Sequence, residues 1–401
     1  MTAEHLSRWL PCARWLRRYN RSLASQDALA AVIVTLMLIP QSLAYAMLAG
    51  LPPITGLYAS MLPLLLYTLF GTSNTLAVGP VAVVSLMTAA ALQPLFPAGS
   101  ADYVAAAMLL ALMSGAILLG MAALKLGFIA NFLSHPVISG FISASGILIA
   151  LGQLRHLLGL SVSGDNALNM LVNLWQALPD THLPTLLIGA GSLALLYLVR
   201  FHFKSALQRL GCAEAMAGHL ARTGPVLTLL LAILVVSLLG LADAGVSVVG
   251  TIPAGLPGLA LPALDAGLAV QLLPAALLIS LVGFVESVSV GQTLAARRRE
   301  RVEPNQELVG LGAANVAAAV SGGFPVTGGF ARSVVNHDAG ARTPMAGAFS
   351  AVGIALTVLF FTPLLDNLPH AVLAATIIMA VLSLVDLGAL RRTWAYSRPD
   401  A

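Results

Sequence analysis

Along its whole length the chain alternates long apolar runs with short polar or basic interruptions. We read twelve hydrophobic segments, at about 27–50, 53–71, 78–93, 102–126, 134–152, 184–201, 224–243, 267–291, 306–322, 329–340, 344–363 and 369–387. Most approach the roughly 20 residues that a helix needs to cross a bilayer. The fold class this predicts is an all-α polytopic membrane protein. The third, ninth and tenth segments are short. The tenth, at about twelve residues, would extend only roughly 18 Å as a helix. Short segments interrupted by Gly and Pro predict broken helices that meet inside the membrane. Two stretches look interfacial. Leu168, Leu171, Leu174, Trp175 and Leu178 recur at helical spacing and predict a helix lying on the outer face. Residues 204–222 read as a basic, mildly amphipathic connector on the inner side.

Composition narrows the class. Of 401 residues, 58% are hydrophobic and only 9% charged, against about 25% charged in soluble domains. Sixteen acids and twenty bases cannot cover a soluble globule of this size. A soluble enzyme, a disordered tail and a nucleic-acid binder are excluded. The bases also set an orientation. With the N-terminus inside, the inner segments hold eighteen of the twenty, leaving Arg155 outside and Arg332 within the membrane. That asymmetry accounts for the formal net charge of +4 without any nucleic acid. Cys12 and Cys212 make no disulfide framework. The Ala44-Tyr45-Ala46 triplet resembles a signal-peptidase site, but its apolar run starts too late and is too long for a cleaved leader.

The chain also echoes itself. Ile39-Pro40-Gln41-Ser42 in the first segment parallels Phe284-Val285-Glu286-Ser287 in the eighth. One segment later, each is followed by a Gly-rich stretch and a short helix. These stretches are Phe70–Pro80 and Ser321–Gly329. Seven spans separate the copies, so the repeat is inverted, as in many secondary transporters. Extended backbone at that depth has to be paired or line a cavity. The short helices, starting at about Val81 and Ala331, would point their N-termini at each other. Their free N–H groups and dipole ends favour an anion. The plainer alternative is that Gly and Pro merely kink packed helices.

Two ionisable side chains fall deep in apolar segments, Glu286 and Arg332. A charge at the bilayer centre costs about 2.5–3.5 kcal/mol on insertion scales, so each is a functional candidate. The competing reading is a structural ion pair between them. Gln41 occupies the repeat position of Glu286, with Tyr45 one turn on. His135, His156, His182, His202, His219, His337 and His370 lie near segment ends or in loops. No HExxH, paired-carboxylate or Ser-His-Asp pattern appears, so no enzyme activity, metal or cofactor is expected.

Three ordered motifs, Pro40-Gln41-Ser42-Leu43-Ala44-Tyr45-Ala46, Gly56-Leu57-Tyr58-Ala59 and Phe70-Gly71-Thr72-Ser73, resemble the sulfate-permease (SulP) family, which includes prestin and pendrin. Gly322-Gly323-Phe324, the run from Gly329 to Asn336, and Ala339–Thr343 match the stretch around that family's second half-helix. The resemblance covers about residues 20 to 400. It implies a seven-plus-seven inverted repeat with a core and a gate. Anion binding is implied between the third and tenth helices, at Gln41, Tyr45, Val81, Ala82, Phe330, Ala331 and Arg332, with Glu286 beside them. The family often has Ser where this chain has Ala331, which shifts weight to backbone N–H groups. The family normally continues with two more spans and a STAS domain beyond the point at which this sequence stops.

The expected organisation is a cytosolic segment over 1–26, a transmembrane domain over 27–387 and a cytosolic stub over 388–401. The core would comprise about 27–152 and 267–340, and the gate 184–243 and 344–387. The expected function is secondary active transport of a small anion of the sulfate, bicarbonate or dicarboxylate class. Proton-coupled symport by an elevator-like motion is expected, with Glu286 serving the coupling ion. A proton suits a lone carboxylate better than sodium, since Val290 stands one turn on. The alternatives are an uncoupled anion channel or exchanger, a voltage-responsive motor, or a nucleobase symporter of similar fold. Expected partners are the anion, the coupling ion and the lipid bilayer of a bacterial inner membrane. A homodimer is expected if a STAS domain is present.

Overall fold

The structure, a computed structural model, describes residues 10–131, 135–162, 167–253 and 255–382. The stub 388–401 and the end of the twelfth segment lie outside the described residues. In chain order the first half contains α1 (Cys12–Leu16), α2 (Arg21–Leu48), α3 (Pro53–Tyr58), α4 (Leu62–Phe70), β1 (Val78–Gly79), α5 (Ala82–Leu92) and α6 (Ala101–Ala123). It continues with α7 (His135–Leu158), α8 (Ala167–Ala177), α9 (Leu183–Leu198), α10 (Lys204–Arg209), α11 (Glu214–Arg222) and α12 (Gly224–Leu238). The second half contains α13 (Ala266–Arg297), α14 (Pro304–Val320), β2 (Thr327–Gly328), α15 (Phe330–Asp338), α16 (Met345–Phe360) and α17 (His370–Leu382).

The segments read from hydropathy correspond to helices, with two informative differences. The second segment is broken into α3 and α4 at residues 59–61, where Met61 leaves helical geometry and Pro63 restarts the chain. The ninth is shifted rather than lengthened, since α14 runs over 17 residues from Pro304 to Val320 and stays short. α8 forms over nearly the expected residues and leaves Leu168 and Trp175 about three-quarters exposed.

The chain divides into two compact units, Met1–Leu133 with Gly255–Leu359, and Ser134–Ala254 with Phe360–Ala401. The fifth segment, 134–152, therefore groups with the second unit rather than with the four before it. Residues 344–359 group with the first unit. In that first unit α14 packs between α4 and α6, α13 lies against α6, and α15 lies against α2. Small residues let α6 and α14 cross closely. A Cβ on Gly115 would meet the Gly312 carbonyl oxygen at 2.9 Å, and one on Gly312 the Gly115 carbonyl at 3.1 Å. In the second unit α17 packs on α7 and α9 through Leu157, Leu196, Ala374, Ala375 and Ile378.

Two buried carboxylates brace the broken helices of the first unit. Glu307 Oε1 accepts from Thr72 N at 2.7 Å, Thr72 Oγ1 at 2.5 Å and Ser73 N at 3.2 Å. Its Oε2 accepts from the Tyr67 hydroxyl at 2.7 Å. Asp27 accepts from the N–H groups of Arg342 and Thr343 at 2.7 and 3.1 Å, and from Thr343 Oγ1 at 2.6 Å. One acid fixes the turn that leads into β1; the other fixes the turn that follows α15.

Candidate functional site: two half-helices and a buried charge pair

The two Gly-rich stretches meet. β1 and β2 pair antiparallel, Val78 opposite Gly328 and Gly79 opposite Thr327. This pairing satisfies extended backbone that could not otherwise sit in an apolar interior. The antiparallel register also sends α5 and α15 off in opposite directions, as an inverted repeat requires. Three side chains lock the crossing. Ser333 Oγ accepts from Ala77 N at 2.9 Å. Asn336 Nδ2 donates to the Thr75 carbonyl at 3.1 Å. Ser287 Oγ accepts from Gly328 N at 2.8 Å and lies 2.6 Å from Thr327 Oγ1.

Neither half-helix has a side-chain cap. The cap positions are Val81 and Gly329, both extended and without a capping hydrogen bond. The first helical bonds run from Ser85 N to the Val81 carbonyl at 2.9 Å and from Ser333 N to the Gly329 carbonyl at 3.0 Å. The N–H groups of Ala82 and Val83, and of Phe330 and Ala331, precede those bonds. They lack the acceptors that a Ser, Thr or Asp cap would supply.

Arg332, one of the largest fully buried side chains, ties the two helix starts together. Its Nη1 donates to the Pro80 carbonyl, just before α5, at 2.6 Å. The guanidinium lies under the β1 turn, where a Cβ on Gly79 would sit 3.5 Å from Nη2. Arg332 Nε and Nη2 are buried without a hydrogen-bond partner, and so is Glu286 Oε2. The neutral Tyr45 hydroxyl and the Glu286 carboxylate lie within Coulombic range of the Arg332 guanidinium. No ion pair joins Glu286 to Arg332 among the described residues. The direct structural pair therefore does not form, and both groups keep unused hydrogen-bonding capacity.

Of the residues singled out in the sequence, Tyr45, Val81, Ala82, Glu286, Ala331 and Arg332 gather around the paired strands. Gln41 is buried on α2 one turn before Tyr45, and no hydrogen bond joins it to this cluster among the described residues. Phe330, at the opening of α15, is 42% exposed. Sequence reasoning missed Ser287 and Thr327 as the latch behind β2, although Ser287 belongs to the repeated motif. It also missed Asp27 and Glu307, which lie at segment ends and so gave no intramembrane signal.

Broken helices apposed through an antiparallel strand pair, within an all-helical apolar chain, define an integral membrane protein of the inverted-repeat class. The chain belongs to the sulfate permease family, whose model matches residues 25–401. It is 36% identical over 392 residues to sulfate transporter 4.1, chloroplastic, of Arabidopsis thaliana, covering 97% of this chain and 56% of that protein. The chain thus spans little more than half the length of that relative. Among solved structures it is similar to the overall structure of SLC26A9, with a TM-score of 0.91 and 22% identity, covering 99% of this chain and 63% of that one. It is also similar to the transmembrane domain of a cyanobacterium bicarbonate transporter, BicA. There the TM-score is 0.80 and the identity 24%, over 92% of this chain and 91% of that one. The fold is the seven-plus-seven inverted-repeat fold of this family, which is not one of enzymes.

Proposed function

We propose that the chain is the membrane domain of a secondary active anion transporter, moving sulfate or bicarbonate. The observation that carries this reading is the pairing of two uncapped half-helix starts around Arg332, with two of its nitrogens buried and unpartnered. Free N–H groups, two dipole ends and a guanidinium all favour negative charge at one place. A dry site strengthens each of these interactions. The curated relative is named a sulfate transporter, and the BicA structure a bicarbonate transporter. Both names agree with a small oxoanion.

Glu286 is our candidate for the coupling site. Its carboxylate shares the buried cluster with Arg332 but does not neutralise it. A proton arriving on Glu286 would remove a negative charge next to the place where the anion enters. Proton and anion would then favour each other's binding, which is the linkage that symport needs. Val290, one turn on, offers no second carboxylate for a sodium cage. In this reading the first unit is the moving core and the second the gate of an elevator-like cycle.

The test is uptake of labelled sulfate, bicarbonate and dicarboxylates into proteoliposomes, at equal pH and with acid outside. Wild type is expected to concentrate an anion as the inward proton gradient grows. Glu286→Gln, which mimics the protonated form, is expected to exchange the anion but not accumulate it. Response to a sodium gradient with none to pH would overturn proton coupling. Current without saturation would indicate a channel. Inhibition by uracil rather than by anions would indicate a nucleobase carrier.

A further inference from the structure

Arg155 is the base that the distribution of charge leaves on the face opposite the other loop bases. It stands at the C-terminal end of α7, on the wall of a cavity of about 440 Å³ within the second unit. His156, Ser161, Ser247 and His370 line the same cavity, and among the described residues no acid does. Arg155 Nε donates to His156 Nε2 at 3.2 Å, and Nη1 to the Val162 carbonyl at 3.1 Å. Its Nη2 makes no hydrogen bond and its charge meets no carboxylate within ion-pair distance among the described residues.

The hydrogen bonds fix what the cavity offers. Because His156 Nε2 accepts from Arg155, that ring is neutral and carries its proton on Nδ1. The His370 ring has no hydrogen-bond partner among the described residues and offers a ring N–H in either tautomer. Ser247 adds an exposed hydroxyl. Thr185, also on the wall, is already used. His182 Nε2 lies 3.1 Å from the Ala244 carbonyl, so it must donate there, and Nδ1 then accepts the Thr185 hydroxyl at 2.8 Å. The lining is thus a fixed positive charge and several N–H or O–H donors, with no counter-charge among the described residues. The two imidazoles, with ring centroids 6.4 Å apart, do not make a cation site. The guanidinium occupies one imidazole nitrogen and repels a second positive charge.

We propose that this cavity is a further anion site, taking a small oxoanion of the sulfate or bicarbonate class against Arg155. It goes beyond the transport reading, whose anion lies at the half-helices of the other unit, and either can fail alone. An anion here would bridge the end of α7 to the start of α17. The His370 backbone N–H already donates to the Ser247 carbonyl at 3.0 Å, and Val248 bridges Pro369. The bound anion would hold that end of the second unit together.

The experiment uses the full chain with Cys12→Ala and Cys212→Ala, and Ser161→Cys as reporter on the cavity wall. Sulfonate-bearing and trimethylammonium-bearing methanethiosulfonates are compared on the purified protein. Steering by Arg155 should make the anionic reagent faster by about tenfold. Millimolar sulfate should slow it, and Arg155→Gln should erase both effects while Arg155→Lys keeps the preference. Equal rates for the two reagents, or a sulfate effect that survives Arg155→Gln, would overturn the proposal. If Arg155→Gln does not fold, sulfate protection of the otherwise unaltered cavity decides: its presence supports the site and its absence sinks it.

Discussion

Arg332 sets the problem at the scale of single residues. A guanidinium buried in an apolar span would ordinarily be neutralised by an acid or fully hydrogen-bonded. Here one nitrogen reaches the Pro80 carbonyl and two reach nothing, while the neighbouring Glu286 also keeps a free oxygen. Both residues were legible in the sequence, because an ionisable side chain stands out against an apolar run. Their environment was not. The Pro80 contact joins residues 252 positions apart, and the Ser287–Thr327 latch uses hydroxyls that occur in any span. Gly56 shows the same limit. The motif flags it, but only the packing shows that a Cβ there would lie 1.9 Å from the Ser42 carbonyl oxygen. Gly56→Ala should therefore destabilise the first unit by roughly 1–3 kcal/mol, as overpacking does. Thermal unfolding of the purified protein would show it as a lowered midpoint, and an unchanged midpoint would refute the packing account.

At the scale of elements, the two half-helices were the most legible feature. Short segments after Gly-rich stretches gave their places, and α5 and α15 begin within a residue of the expected starts. What joins them was hidden, since β1 and β2 are each two residues long and their register is set by distant partners. The braces were hidden for another reason. Asp27 and Glu307 sit where a segment meets its loop, a place where a solvated acid is ordinary. Glu307 is instead surrounded by four donors, all of which favour a carboxylate over an amide. Glu307→Gln should cost about 1.5–3 kcal/mol, the range for hydrogen bonds to a charged group. The loss should appear as faster hydrogen exchange at residues 71–79 rather than in the second unit. Uniform change across both units would contradict a local brace.

On the scale of the whole molecule, hydropathy fixed the class and most spans, while the grouping of spans escaped it. Residues 134–152 look like any other span, yet their helix packs on α17, some 200 residues away, and joins the second unit. Segment order carries no such information; the partner's complementary surface does. Orientation rests on the bases alone. Cysteines placed at Asp180 and Asp243 should react with an impermeant reagent from outside intact cells, and one at Glu303 should not. Reversed labelling would invert the account of which face meets the proton gradient.

The central claim is that the anion is held at the paired half-helix starts with Arg332 as its charge partner. Labelled-sulfate exchange in proteoliposomes tests it most directly, because half-saturation of exchange reports the transporting site. Arg332→Gln should raise that half-saturation by about tenfold or more, equivalent to at least about 1.4 kcal/mol. Its thermal unfolding midpoint should fall only modestly, since the hydrogen bond to the Pro80 carbonyl is lost but no ion pair is. Normal half-saturation in the folded fraction of Arg332→Gln, together with a collapsed unfolding midpoint, would contradict the claim and leave Arg332 a purely structural residue.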